Sequence, residues 1–276
     1  MGLIPKWLWG KRIGVWDLET DYIPTTLIYM NGVAFIDIDS TGNTVVTPSR
    51  TFTHKWTHYS HGSLMESIGL LKDCDYVAGH NLCGFDIPEV AKHLGLEINI
   101  PVLDTLILAK VMISKDELYG IDATLGIIDD IDWSRPYALD AFGKRLGNNK
   151  ILFKEFSEMT EEMQIYCDQD VNLTCDLLLH LLNQENFPLE AVVDIEHKAA
   201  TIIAEQTKYG FYLDIDKTKA LNTELLKEKG ELFRELSAVF KPKWMADGKP
   251  LTYKKKSVIK KYLPNTKYTP LLGTKL

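Results

Sequence analysis

The chain reads as an α/β protein: a mixed sheet flanked by helices, followed by a small helical segment. Three observations predict this. Strand-forming stretches rich in Val, Ile, Thr, Tyr and Phe come first, at 13–18, 26–38 and 44–53, with Pro24 and the turn STGN (40–43) between them. Helical periodicity dominates from about residue 62. After Pro188 the texture changes to two long helical patterns and a lysine-rich tail, which sets a boundary near 187–192 between a domain over 1–189 and a small helical segment over 190–276.

Taken in order, the first three strands are hairpin-spaced, so the sheet starts antiparallel. A helical stretch near 62–73 precedes a short strand, DYVAG at 75–79, and a helix opens around Asp86 with Pro88 in its first turn. DTLILAKVM, from Asp104, reads as a helix with an acidic start. ALDAFGKRLG (138–147) reads as a helix closed by Gly147. From Thr160 to Leu182 the apolar positions Met163, Tyr166, Cys167, Val171, Cys175, Leu178 and Leu182 recur at spacings of three and four, a long amphipathic helix. Beyond it lie helical patterns on either side of a turn-strand, GFYLD at 210–214.

Composition bounds the function. At 276 residues with 45% hydrophobic and 25% charged residues, the chain has ordinary globular content, and no stretch is apolar enough to span a bilayer. The N-terminal apolar patch is too short for a signal peptide. Cys74, Cys83, Cys167 and Cys175 form no zinc-type spacing and read as free thiols of a reducing cytoplasm. Net charge is −7, yet residues 241–276 hold ten lysines and one acid, leaving −16 on the remainder. An acidic body with a basic tail suits an acid-lined site beside a phosphate-binding segment; a merely solvated tail has the same charge pattern.

The acids fall into three constellations. IGVWDLETD (13–21) ends an apolar strand with Asp17, Glu19 and Asp21 at every second position, where one face of a sheet would carry three like charges. GHNLCGFDIPEV (79–90) feeds a strand through His80, Asn81 and Gly84 to Asp86 at a helix start, where an N-cap is the bland role for the acid. His80 reads as a structural imidazole and Asn81 as a brace for the turn. In IYCDQDVNLTCD (165–176), Tyr166 and Asp170 stand four apart on one helix face, whereas Asp168 and Asp176 point elsewhere. Gathering four carboxylates is costly without cations, and two divalent cations match their charge. Oxygen-only ligation selects Mg²⁺ or Mn²⁺. Such a pair can activate a water and stabilise the leaving oxygen of an in-line phosphoryl displacement. With metals to acidify the water, the Tyr166 hydroxyl is expected to orient it rather than to act as base. Asp21 sits before a turn and reads as a surface or turn acid.

With these residues in hand, the sequence resembles a DEDDy 3′→5′ exonuclease of RNase H-like (DnaQ-like) fold. VWDLET resembles the first motif, HNLCGFD the second and YCDQD the third. The resemblance implies that Asp17, Glu19, Asp86 and Asp170 hold two divalent cations and that Tyr166 is the motif tyrosine. Residues 13–245 further resemble the exonuclease region and the start of the thumb of family A DNA polymerases, closest to the phage replicative type, on VLDTLILAKVM, YALDAFGKRLGNNK and the stretch from DIEHK to ELSAVF. In that family Asp104 falls in a DTL element, here given a helix-capping or supporting role. Such polymerases continue into palm and fingers, which this sequence lacks, so the expected activity is proofreading alone, as a fragment or as half of a split polymerase with a separate polymerase subunit.

The expected substrate is a single-stranded DNA 3′ end, in the cytoplasm of a phage-infected host. Leu18, Phe85 and Tyr137 are candidates to stack or wedge its last bases. Thr20, His80 and Asn81 complete the substrate-side set. Two other readings share the motifs: an RNase D-like exoribonuclease, and a non-catalytic DNA-holding assembly subunit of a polymerase.

Overall fold

In the computed structural model, residues 4–21, 23–54, 61–151 and 153–239 are described, with the backbone of 244–246 and 268–270. Strand β1 (Arg12–Thr20) is the spine of the sheet. It pairs antiparallel with β2 (Ile28–Ile38) and parallel with β5 (Tyr76–Gly79), which in turn pairs parallel with β6 (Val102–Asp104). β3 (Thr44–Val46) and β4 (Arg50–Thr53) both lie antiparallel on β2. The result is one mixed sheet of six strands with helices on both faces, the α/β class the sequence predicts.

Period two decides what each face holds. Ile13, Val15, Ala34, Ile36 and Ile38 point to a core shared with α3 (Thr105–Met112), α5 (Leu139–Leu146), α6 (Glu161–Leu182) and α7 (Glu190–Tyr209). Trp16, Leu18, Val33 and Phe35 point to the opposite core, covered by α1 (Leu64–Leu71) and α2 (Asp86–Leu94). Asp17 and Glu19 share the parity of Ile13 and Val15, so they face α6. After Glu19 the β1–β2 register shifts, with Glu19 opposite Met30 but Thr20 opposite Ile28. Such an irregularity breaks the strict alternation, which is the physical reason that Asp21 does not follow its two predecessors.

The long helix α6 is capped by Thr160, whose hydroxyl accepts from the Met163 N–H at 3.1 Å. It crosses β1 and β2 at close range because residue 32 is a glycine: a side-chain carbon there would stand 2.7 Å from Val171 and 3.1 Å from the Cys167 sulfur. Gly32 is the register partner of Asp17, so this close crossing is what brings α6 up to the first acid.

Several elements differ from the sequence expectation. The run 44–53 is two strands, because Pro48 interrupts it and β3 and β4 pair with separate parts of β2. β6 is three residues long, too short for an alternating signal. Helix α4 (Lys115–Leu125) buries only Leu118 and Asp122, so it has no apolar stripe, although Ser114 and Glu117 form a full capping box. Residues 210–214 carry no strand: α7 stops at Tyr209 and α8 (Ile215–Val239) follows. The chain divides into two units, Met1–Gly210 and Phe211–Leu276. The change of sequence texture at 187–192 falls earlier, and α7 stays with the first unit through buried Val193 and His197. In the second unit, α8 is followed by a backbone pair, β7 (Trp244–Ala246) with β8 (Tyr268–Pro270). The lysines of the tail lie outside the described residues. No described helix is long and apolar enough to cross a membrane.

Candidate active site

Three elements converge on the α6 side of the sheet. β1 delivers Asp17 and Glu19, the start of α2 delivers Asp86, and α6 delivers Tyr166 and Asp170. Glu19, Asp86 and Asp170 are 4%, 3% and 3% exposed, while Asp17 is half-buried and opens onto a cleft of about 970 Å³. Asp86 is not a cap: it is the first residue of its helix, and its Oδ1 accepts from the Leu18 N–H at 3.1 Å.

These acids sense one another. Burial first, then the charge of Asp170, pushes the Asp17 carboxyl up to about 7. Glu19 is held well above the carboxylate range by burial, then by Asp17 and Asp170. Asp86 is raised likewise by burial, then by Asp17. Asp170 is raised by burial against the pull of Lys150, and its Oδ1 is buried with no hydrogen-bond partner. A buried cluster of raised acids with an orphaned oxygen is what an oxygen-ligated divalent cation would satisfy. The residues fit such ions. Cys167 lies with Asp17 and Glu19 such that their ligand atoms are all within 4.8 Å. Its thiol is pushed well up by burial and packs against Gly32, so it remains a protonated core group and a poor partner for a hard ion.

Tyr166 packs among aromatics, its ring 5.4 Å from Phe153 and 6.2 Å from Phe156. The hydroxyl hydrogen-bonds Asp170 and accepts from Lys150. Burial and then Asp170 hold the phenol above its ordinary value, so it is protonated at neutral pH and can orient a group but not take its proton.

Around this centre lie supports. Asp104 caps α3 through the Leu106 N–H at 2.9 Å and also accepts from the N–H groups of Asn81 (2.9 Å) and Cys83 (3.0 Å), fixing the turn that leads to Asp86. In that turn Asn81 adopts a left-handed φ of 71°. Its side-chain oxygen lies where a Cβ on Gly84 would be, 2.5 Å away, so position 84 needs a glycine. His80 accepts or donates at Nδ1 to the Thr105 hydroxyl (2.9 Å), and burial lowers its imidazole to about 4. Asp168 accepts from Ser49 and Thr51, both at 2.8 Å, which ties α6 to β4, and Asp176 accepts from Asn148. Asp21 accepts from the Thr26 hydroxyl and the N–H groups of Thr26 and Leu27, a turn acid held below the usual range.

Of the substrate-side expectations, His80, Asn81 and Tyr137 line the cleft. The Tyr137 hydroxyl donates to the Ile113 carbonyl at 2.7 Å. Leu18 packs in the Trp16 core, Thr20 is buried at the end of β1, and Phe85 is half-buried ahead of α2.

Sequence reasoning overlooked the cations. Lys150 places Nζ 2.5 Å from Asp170 Oδ2 and 4.6 Å from the Tyr166 ring centroid. Lys110, Lys115, Arg135 and Lys144 line the same cleft. They come from helices and loops scattered over 35 positions, with no cluster to read; what they share is a place in the lining of one cleft.

No family model matches the chain. The sequence is 30% identical to the DNA-directed DNA polymerase of Escherichia phage T7, over 58% of this chain and 29% of that protein. It is 29% identical to the DNA-directed DNA polymerase of Enterobacteria phage T3, over 68% of this chain and 33% of that protein. Among solved structures, the family B DNA polymerase of the archaeon Pyrobaculum calidifontis overlaps 72% of this chain and 29% of its own, at 14% identity and a TM-score of 0.33, too loose an overlap to speak to the fold. The chain spans about a third of the length of the curated relatives it matches.

Proposed function

We propose that the chain is a metal-dependent 3′→5′ exonuclease acting on single-stranded DNA ends, the proofreading part of a phage-type polymerase system, with a DEDDy site on an RNase H-like sheet. One observation carries the reading: the buried Glu19, Asp86 and Asp170 and the half-buried Asp17, from three separated segments, come together with an acid oxygen left unsatisfied beside a protonated tyrosine. Asp17, Glu19, Asp86 and Asp170 would hold two Mg²⁺ or Mn²⁺ ions. When bound, such ions supply Lewis acidity to an attacking water and to the leaving oxygen. Tyr166 keeps its proton and orients that water from the Asp170 side. Asp104, Asn81 and Gly84 fix the turn that aims Asp86.

The charge of the cleft supports a nucleic-acid substrate. Lys110, Lys115, Arg135 and Lys144 line it together with Asp17 and Asp170, and would meet the phosphates of a threading strand. A cleft walled on several sides admits one strand more readily than a paired end. The relatives being DNA polymerases favours DNA over RNA, and a separate polymerase subunit is the partner such an activity would serve.

Digestion of 5′-labelled and 3′-labelled single-stranded DNA, with Mg²⁺, Mn²⁺ or chelator, tests this. A ladder descending from the 3′ end, absent in chelator and absent in Asp17→Ala, is expected. Shortening from the 5′ end, activity that survives chelation, or preferential trimming of an RNA oligomer would overturn it.

A further inference from the structure

Lys150 lies in none of the three acidic constellations, yet its ammonium donates to Asp170 Oδ2 and to the Tyr166 hydroxyl. The loop that carries it is pinned rather than loose. Gln169, the residue before Asp170, uses both ends of its amide: Oε1 accepts from the Ile151 N–H and Nε2 donates to the Asn149 carbonyl, each at 2.6 Å. One residue back, Asn148 donates through Nδ2 to Asp176 at 3.0 Å and through its backbone to the Gly143 carbonyl at 2.9 Å. The backbone on either side of Lys150 is thus stapled to Gln169, next to Asp170 on α6, and the Asn148 side chain ties the loop to α6 again at Asp176. Only the side chain is left to move, a flexible stem ending in a compact charge.

Charge balance says where it would go. Lys150 is salt-bridged to Asp170 on one oxygen, and the other oxygen of Asp170 is bare and buried. Two divalent cations would neutralise all four acids, which makes the ammonium surplus on Asp170. A phosphodiester entering the cleft brings one negative charge, and Lys150 lines that cleft beside Asp17.

We infer that Lys150 is a positioning residue with two alternating partners: in the metal-free protein it is the resident counter-ion on Asp170, and divalent-cation binding releases it to the phosphate at the DNA 3′ end, with Gln169 fixing the pivot. The phosphate half rests on the exonuclease reading; the displacement half does not.

Two binding measurements on the full chain test it without turnover. Mn²⁺ is titrated by electron paramagnetic resonance into wild type, Lys150→Met and Lys150→Arg. Affinity for a single-stranded oligomer is measured by anisotropy in Ca²⁺. Removing a competing cation should tighten Mn²⁺ about tenfold in Lys150→Met, and loss of a phosphate partner should weaken the oligomer about tenfold. Lys150→Arg, which keeps the charge, should stay within about threefold of wild type in both. A purely structural lysine would weaken both ligands together, so Mn²⁺ binding unchanged or weaker in Lys150→Met overturns the inference, as does unchanged oligomer affinity. Should wild type fail to shorten DNA while Mn²⁺ still tightens in the variant, the exonuclease reading falls and the displacement stands. Shortening without that Mn²⁺ response sinks the displacement alone.

Discussion

Asp104 and Asp170 are buried to nearly the same degree, 1% and 3% exposed, and burial raises both carboxyls. Their surroundings differ. Asp104 is cradled by three backbone N–H groups, from Asn81, Cys83 and Leu106, and sits beside His197. Asp170 has one ammonium and one phenol on one side, a bare oxygen on the other, and the acids Asp17, Glu19 and Asp140 for neighbours. The direction of a pKa shift does not separate the two acids; the hydrogen-bond accounting does. A carboxylate met by fixed dipoles is complete and holds the fold, whereas one left short of donors among like charges has room for a ligand.

Asp170→Ala should cost about 4 kcal/mol of transition-state stabilisation, about a thousandfold in Mg²⁺-dependent shortening of single-stranded DNA, with little change in melting temperature. At Asp104 the expectation inverts: Asp104→Ala strands three N–H donors and should cost about 3 kcal/mol of stability, read as a shift in urea midpoint. If Asp104→Ala melts like wild type, the distinction between the two acids is wrong.

What the sequence made legible follows the same divide. The acids were readable because Asp17 and Glu19 interrupt an apolar run and because Tyr166 and Asp170 share one helical face. Their compensation was not. Lys150 sits in a loop, twenty residues from Asp170, where a single lysine looks solvated. Gln169 carries no pattern either, since both its contacts run to backbone. In the fold, β1, β2 and α6 stood out through periodicity, while β6 and α4 did not, the one too short and the other held by a capping box instead of an apolar stripe.

Smaller effects sharpen the picture. Tyr166→Phe removes the hydroxyl but keeps the ring among Phe153 and Phe156, so shortening should slow by about tenfold to a hundredfold in single-turnover kinetics. A loss equal to that of Asp170→Ala would contradict an orienting role. Asp21→Asn should be smallest, leaving activity within about threefold of wild type and stability within about 1 kcal/mol, because its carboxylate only closes a turn.

The four acids destabilise one another in the absence of cations, and Asp17→Asn removes one of them with little change of shape. The folded-state value of Asp17, about 7, lies above that of an unfolded aspartate, so the folded protein binds more protons between about pH 4 and 7. Stability from this group is therefore lost as pH rises through that window. In chelator at pH 8, Asp17→Asn should melt about 3–6 °C higher than wild type, the advantage fading towards pH 4. With Mg²⁺ the same variant should fail to shorten DNA. A variant that melts lower than wild type at pH 8, or one that still degrades DNA, would contradict the account.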